Sequence, residues 1–227
     1  MGTEAPKKKL QLSYKKPTLV PGTCQSLTVQ HQGVIRIKML SVLAEAGIFH
    51  LVFGDPTHKV HNTELGKCWQ RKGRDGTLVL SSNSGRKRVT ILGFIDAVNL
   101  KFSSLVTESN ADVYSNEMAH RVLRENYPDN KEIIVIQDNA KYNHSFANSD
   151  EAKELNITSF FLPSYSPNLN LIERLWKFMK KKIMKNTYYP TFSLYWEAIL
   201  SFCKDLPSYK DEIKTIFSQK FQILKAA

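Results

Sequence analysis

The spacing of apolar residues along this chain changes from helical to strand-like and back several times. Apolar positions recur every three or four residues between Gln25 and Gly47, which predicts a first helix. Short unbroken apolar runs predict strands that are buried on both faces, and these lie at 48–53, 89–97, 101–107, 132–137 and 157–162. Further helices are predicted at 111–127, 151–155, 169–186 and 192–217, with one more short strand at 68–72.

This order of elements predicts an α/β fold, in which helices cover both faces of a mixed sheet. The 227 residues suffice for one complete core. Apolar residues make up 42% of the chain, a value typical of soluble globular proteins. No apolar run reaches the length of a membrane span, and the first residues lack the apolar core of a signal peptide, so a cytoplasmic protein without membrane contact is expected.

Cysteine and histidine give little indication of a metal or disulfide framework. Cys24, Cys68 and Cys203 are widely scattered and form no CxxC pair, which argues against structural disulfides and against zinc. His58 and His61 have the spacing of a metal-binding pair, but no nearby cysteine or third histidine completes such a site.

The charge balance points to a polyanionic partner. The formal net charge is +11, and an excess of this size favours nucleic acid or an acidic membrane surface. Residues 1–24 form a basic arm in which Pro17 and Pro21 discourage helix. Two interpretations of this arm remain open: a solvated leader, or a segment that follows the DNA backbone.

Three carboxylates occupy positions from which they can meet. Two apolar strands are each followed by an aspartate, Asp55 and Asp138, and Glu173 lies on a helix after a strand and a proline-rich turn. In sheets that are covered on both faces, ligands gather at the ends of strands. We therefore expect these three side chains to converge on one cleft.

Convergence of three carboxylates determines the chemistry. Two like charges about 4 Å apart repel by about 4 kcal/mol at an effective dielectric constant of about 20. Such a cluster needs cations, and oxygen ligands favour Mg²⁺ or Mn²⁺. Two such ions about 4 Å apart activate a water molecule and stabilise the leaving oxygen of a phosphodiester. The expected reaction is therefore phosphoryl transfer on nucleic acid.

Each acid also has a structural interpretation. Asp55 and Asp138 are suited to the turns that follow strands, and the Asn170–Glu173 spacing resembles a helix capping box. Asp96 also ends an apolar strand, so composition alone does not set it apart from the other acids.

A resemblance to a known family resolves this choice. Three segments resemble the catalytic blocks of mariner-related bacterial insertion-sequence transposases: Phe53-Gly54-Asp55, IVIQDNA at 134–140, and LPSYSPNLNLIERLW at 162–176. Thirty-four residues separate Asp138 from Glu173, the spacing that marks this branch. The third block is long and specific. In the first block, Pro56-Thr57 departs from the residues that usually follow the first aspartate in this family.

The resemblance implies a ribonuclease H-like fold for residues 25–227, with Asp55, Asp138 and Glu173 as the catalytic metal ligands. It also implies cleavage of DNA at transposon ends and strand transfer into target DNA, typically at TA steps, and it makes Asp96 structural. End pairing suggests a homodimer on DNA, in a bacterial, nucleoid-associated setting.

Several other side chains are candidate DNA contacts. A basic face beside Glu173 is suited to phosphates, and a second basic patch precedes the predicted hairpin. A solvated lysine face and ordinary polar residues are the alternatives. The candidates are Arg174, Lys177, Lys180, Lys181, Arg86, Lys87, Arg88, Asn139 and His144.

Transposases of this family usually carry an N-terminal helix-turn-helix region, and we find no such pattern here. Weak sequence-specific recognition of transposon ends is therefore expected of this chain alone. Two rival functions remain: a ribonuclease H-like nuclease, against which the third block argues, and an inactive DNA-binding relic, against which the intact acids argue.

Overall fold

A computed structural model describes residues 25–72 and 76–217, together with Phe221 and Ile223. The predicted basic arm at 1–24 lies outside the described residues. The strands are β1 (His50–Val60), β2 (Arg88–Asp96), β3 (Phe102–Thr107), β4 (Ile133–Gln137) and β5 (Ile157–Phe161). The helices are α1 (Leu27–Glu45), α2 (Val113–Glu125), α3 (Lys141–Ala147), α4 (Asp150–Glu154), α5 (Ile172–Met179), α6 (Phe192–Lys204) and α7 (Lys210–Ile216).

The five strands form one mixed sheet in the order β3-β2-β1-β4-β5. β1 pairs with β2 and β2 with β3 in antiparallel fashion, whereas β4 runs parallel to both β1 and β5. Successive residues of a strand point to opposite faces, so Leu51 and Phe53 join one buried cluster and Val52 joins another. The first cluster includes residues of α1, α5 and α6, and the second residues of α2. The predicted α/β sheet with helices on both faces is confirmed.

Strand β1 is longer than predicted and does not end at Asp55. The backbone N–H of Ala97 donates to the carbonyl of Leu51. Backbone groups that bond to β2 belong to every second residue of β1, so those of Asp55 also face β2, whereas those of Gly54 and Pro56 face the opposite side. Pairing of β1 with β4 ends at Phe53. Proline has no backbone N–H, and at position 56 this group would face the side on which β1 has no partner strand. Pro56 therefore removes no hydrogen bond from the sheet, and β1 continues to Val60.

Other boundaries also differ from the predictions. The strand predicted at 68–72 is wrong, since these residues form no regular element and Trp69 is fully exposed. Helix α3 was not predicted, because seven residues are too few for an apolar period to stand out. The predicted helix 169–186 begins with a 3-10 turn and ends in a π-helical turn, at 167–169 and 180–184. The helix predicted at 192–217 is interrupted by a 3-10 turn containing Pro207.

Within the described parts of the chain, none of the helices combines the length and the apolar character that crossing a bilayer demands.

Close contact between α5 and the sheet depends on Gly93 in β2. A Cβ atom at this position would lie 2.5 Å from Cη2 and 3.0 Å from Cζ2 of Trp176. The buried indole therefore rests directly on the backbone of β2, with its edge against the ring of Phe102. Since Gly93 pairs with Asp55, this contact also determines how close α5 lies to the first aspartate.

We predict that Gly93→Ala lowers the free energy of unfolding by about 1–3 kcal/mol, because the added methyl group overpacks the interface with α5. In a Trp176→Phe background, which removes the six-membered ring of the indole that the methyl group meets, the same substitution should cost less. Urea denaturation of the four proteins of this double-mutant cycle measures the difference. Equal costs in both backgrounds would contradict the proposed contact.

Candidate active site

A cavity of about 470 Å³ opens at the end of β4, between β1, the loop 163–167 and the start of α5. Asp55, Asp138 and Glu173 all line it. The structure thus brings together the three acids that the sequence singled out, although they are 118 positions apart along the chain at the extremes. Asp55 and Glu173 are half-buried, whereas Asp138 is exposed.

The two aspartates are neighbours because β1 and β4 are adjacent and parallel. Phe53 lies opposite Ile136 in this ladder, and each aspartate follows two residues later. Side chains that leave parallel strands at the same edge share one crevice. The pairing of two apolar runs therefore places Asp55 next to Asp138.

Glu173 reaches the cavity from the first turn of α5. The preceding loop is tied to the sheet by Asn170, whose side-chain amide donates to the carbonyl of Gly54 at 3.0 Å. This carbonyl points to the side of β1 that β4 no longer covers. Asn170 is buried and α5 begins at Ile172 without a side-chain cap, so the capping-box interpretation of Asn170 and Glu173 does not describe this turn.

The electrostatics of the cavity are dominated by Asp55. Burial, followed by the charges of Glu173 and Asp138, raises the pKa of its carboxyl group to about 8, against the weaker lowering influence of Trp176 and Lys59. The buried indole N–H of Trp176 lies beside this carboxylate but does not reach hydrogen-bonding geometry with any described partner. Asp55 is therefore a group that a nearby divalent cation would help to ionise.

The donor set fits a hard divalent cation, since all three side chains offer carboxylate oxygens to one cavity. In the described residues, however, no three histidine, cysteine, aspartate or glutamate side chains are already gathered closely enough to hold one ion. The acids share the cavity without forming a closed ligand cluster.

Asn143 orients Asp138, and sequence reasoning missed it. The buried amide of Asn143 donates to Oδ1 of Asp138 at 2.9 Å, and the backbone N–H of Ala140 donates to the same oxygen at 3.1 Å. Both donors use Oδ1, which leaves Oδ2 to a cation. Asn139, a candidate DNA contact, donates to the carbonyl of Leu162 at 2.6 Å while lining the cavity.

The basic residues of α5 and of the π-helical turn that follows it separate into two groups. Arg174, Lys177 and Lys181 line a groove of about 560 Å³ against α7. Lys180 points elsewhere and forms an ion pair with Glu64, with 2.5 Å between Nζ and Oε2. The candidate DNA contacts on this helix therefore belong to two surfaces.

The remaining candidate contacts lie on other surfaces. Lys87 is placed over the ring of Phe192, 4.9 Å from its centroid, and Arg88 donates to the side chain of Asn110. Arg86 is exposed. The ring of His144 stacks on Phe161, with 4.0 Å between centroids.

Asp96 and the histidines after Asp55 have structural partners. Asp96 is buried, and its Oδ1 accepts from the backbone N–H groups of Val98 and Asn99 at 2.7 Å each. Its Oδ2 accepts from the hydroxyl group of Tyr127 at 3.0 Å. The structural role expected for Asp96 is confirmed. The rings of His58 and His61 bond to different groups, the hydroxyl of Thr90 and the carbonyl of Tyr189.

A mixed five-stranded sheet of order β3-β2-β1-β4-β5 with helices on both faces is the arrangement of a ribonuclease H-like fold. The family described as DDE superfamily endonuclease matches residues 50–193, more than half of the chain. The chain belongs to this family. No protein of curated function matches it.

Solved structures with the same fold include complexes of the Mos1 transposase. The Mos1 strand transfer complex has a TM-score of 0.63 and 13% identity, covering 96% of this chain and 69% of the Mos1 chain. The Mos1 mariner paired end complex with Mn has a TM-score of 0.59 and 17% identity, covering 95% and 70%. At such low identity the likeness establishes the ribonuclease H-like fold, as expected from the sequence.

The pH dependence of stability should reveal Asp55. The pKa of its carboxyl group is about 8 in the folded protein against 3.8 for an ordinary aspartate, so between these values the folded state holds a proton that the unfolded chain has lost. Raising the pH through this window therefore destabilises the folded protein. We predict that the thermal midpoint in EDTA falls less steeply from pH 5 to pH 9 in Asp55→Asn than in the unmodified protein. Parallel curves would contradict the raised pKa.

Asn143→Ala should weaken Mn²⁺ binding by about 10–100-fold, since residues that orient a ligand contribute about this much to metal affinity. Calorimetric titration with Mn²⁺ measures the change. The control is Asn148→Ala at the end of the same helix, where the amide caps the carbonyl of His144. Unchanged Mn²⁺ affinity in Asn143→Ala would show that Asn143 does not orient a ligand.

Proposed function

We propose that this chain is the catalytic domain of a DNA transposase, which cleaves DNA at transposon ends and joins them to target DNA. The observation that carries the proposal is the convergence of Asp55, Asp138 and Glu173 on one cavity of a DDE superfamily endonuclease fold. Further support comes from similar solved structures, which include the Mos1 strand transfer complex and a pre-cleavage Mos1 transpososome.

The proposed cofactor is Mg²⁺ or Mn²⁺, bound as two ions by Asp55, Asp138 and Glu173. Oxygen-only donors support a hard cation, and Mos1 paired end complexes are described with Mn and with Mg. When bound, two ions would activate the attacking oxygen and stabilise the leaving oxygen of the phosphodiester.

The chain's own residues prepare this site. Asn143 and the N–H of Ala140 hold one oxygen of Asp138 and leave the other for a ligand. Asp55 carries a proton near neutral pH in the cation-free protein, and it must release this proton to act as a ligand. The loop that ends at Asn170 lines the cavity and is held to β1 by the hydrogen bond from Asn170 to Gly54.

We propose that basic surfaces beside the cavity hold the DNA. The groove lined by Arg174, Lys177 and Lys181 contains three cations and one carboxylate, that of Glu212. A net charge of +11 favours a polyanion. Arg86, Lys87, Arg88, Asn139 and His144 remain proposed contacts. Sequence-independent binding to the backbone is expected to dominate.

The target site, the oligomeric state and the origin of the proposed transposase are inferred from the sequence motifs. We propose target joining at TA steps, a homodimer on DNA, and a bacterial insertion-sequence origin with action at the nucleoid. The description of Mos1 assemblies as paired end complexes supports the pairing of two catalytic domains. Residues 25–227 constitute the proposed catalytic domain and 1–24 the proposed arm.

Asp138→Ala should reduce Mg²⁺- or Mn²⁺-dependent nicking and strand joining by at least about 100-fold, because loss of a ligand should exceed the effect of losing a residue that merely orients one. Nicking of supercoiled plasmid and joining of a labelled duplex with a free 3′ hydroxyl measure the two activities. Asp150→Ala is the matched control, since Asp150 is an exposed aspartate on α4.

Three outcomes separate the rival functions. Equal nicking by Asp138→Ala and the unmodified protein would contradict the assignment of the site. Cleavage of RNA–DNA hybrids but not of duplex DNA would identify a ribonuclease H-like nuclease. Binding of DNA without any cleavage by the unmodified protein would identify an inactive relic.

A further inference from the structure

Lys59 is a half-buried lysine whose surroundings give it no ion pair. It lies on β1 four residues after Asp55, so both side chains point to the face that α5 covers. Among the described residues, no carboxylate comes close enough to Lys59 to form a salt bridge. Burial of an unpaired charge is costly, so the position of Lys59 requires a reason.

Helix α5 brings a second lysine to the same place. Lys180 follows Glu173 by seven residues, which is two helical turns or about 10 Å along the axis. Lys59 lies about 13 Å beyond Asp55 at the usual rise of a strand. Along β1 the chain runs from Asp55 to Lys59, and along the helix it runs from Glu173 to Lys180. An acid pair is thus followed by a lysine pair.

Electrostatic effects agree with this placement. The pKa of Lys59 is lowered by burial and by the charge of Lys180, whereas Glu173 and Asp55 oppose the shift. Lys59 is thus within range of both acids and of the second lysine. The two ammonium groups repel each other, and the opposing carboxylates do not restore the usual pKa.

Among the residues that the structure describes, the carboxylate that pairs with these two lysines is that of Glu64, which binds Lys180 alone. Glu64 is held by its backbone, since its carbonyl accepts from the N–H of Asn186 at 2.8 Å and it bridges to Lys185. One carboxylate for two ammonium groups leaves a net positive charge. A further anion near Lys59 would relieve both the repulsion and the unpaired burial.

We propose that Lys59 and Lys180 form a binding site for one DNA phosphate, next along the strand from the phosphate that the acid cavity holds. This site is separate from the groove of Arg174, Lys177 and Lys181, which faces α7. The inference rests on the proposed function, because the site is useful only if a nucleic-acid strand enters the cavity. The ligand is a backbone phosphodiester, so the contact carries no base preference.

The test is the salt dependence of DNA binding. Binding of a fluorescein-labelled duplex to the full chain is followed by anisotropy in EDTA at increasing NaCl concentration. Each phosphate that is neutralised contributes about 1 to the slope of log K against log salt. Because the two lysines share one phosphate, Lys59→Met and Lys180→Met should each lower this slope, by at most about 1. Lys153→Met, at an exposed position on α4, should leave it unchanged.

A charge-retaining variant and a measurement of Mn²⁺ binding complete the test. Lys59→Arg retains the charge and should retain the slope, which also covers the case in which Lys59→Met fails to fold. If Lys59→Met binds DNA with the slope of the unmodified protein and binds Mn²⁺ more tightly, Lys59 is only an internal counter-ion of the acids and the proposal is overturned. If the unmodified chain binds no DNA, the proposed function itself fails.

Discussion

Repulsion among Asp55, Asp138 and Glu173 is the constraint on which the rest of this structure depends. Left alone, three carboxylates in one cavity would move apart, and the pKa of Asp55 is raised first by its burial and then by the charges of Glu173 and Asp138. The surrounding fold must therefore hold them together. It does so through the parallel pairing of β1 with β4 and through the attachment of α5 to the same sheet.

That attachment uses backbone groups that the sheet leaves open. The carbonyl of Gly54 lies just past the last residue of β1 that pairs with β4, and it accepts a hydrogen bond from the side-chain amide of Asn170. Gly93 offers no side chain on β2, and Trp176 fills the space. Asn170 and Trp176 flank Glu173 in sequence, so these two contacts together determine where the third carboxylate lies. Stability and site geometry are therefore properties of the same few residues.

Much of this was predictable because it follows from short-range patterns. Unbroken apolar runs identified the strands, and an acid just after two of them marked the edge of the sheet. The extension of β1 past Pro56 was not predictable, since it depends on which side of the strand lacks a partner. Asn143 was missed because α3 is too short to show a period. Lys59 was missed because its significance arises only when α5 places Lys180 beside it.

The lysines of α5 illustrate why net charge alone cannot locate a binding surface. At 3.6 residues per turn, Lys180 lies about 20° from Glu173 on one side of it, whereas Lys177, Lys181 and Arg174 lie about 40°, 80° and 100° away on the other side. The structure assigns these three to the groove against α7 and pairs Lys180 with Glu64. Cations that are adjacent in sequence thus meet different surroundings. The surface on which each cation lies, rather than the number of lysines, therefore determines which group it can contact.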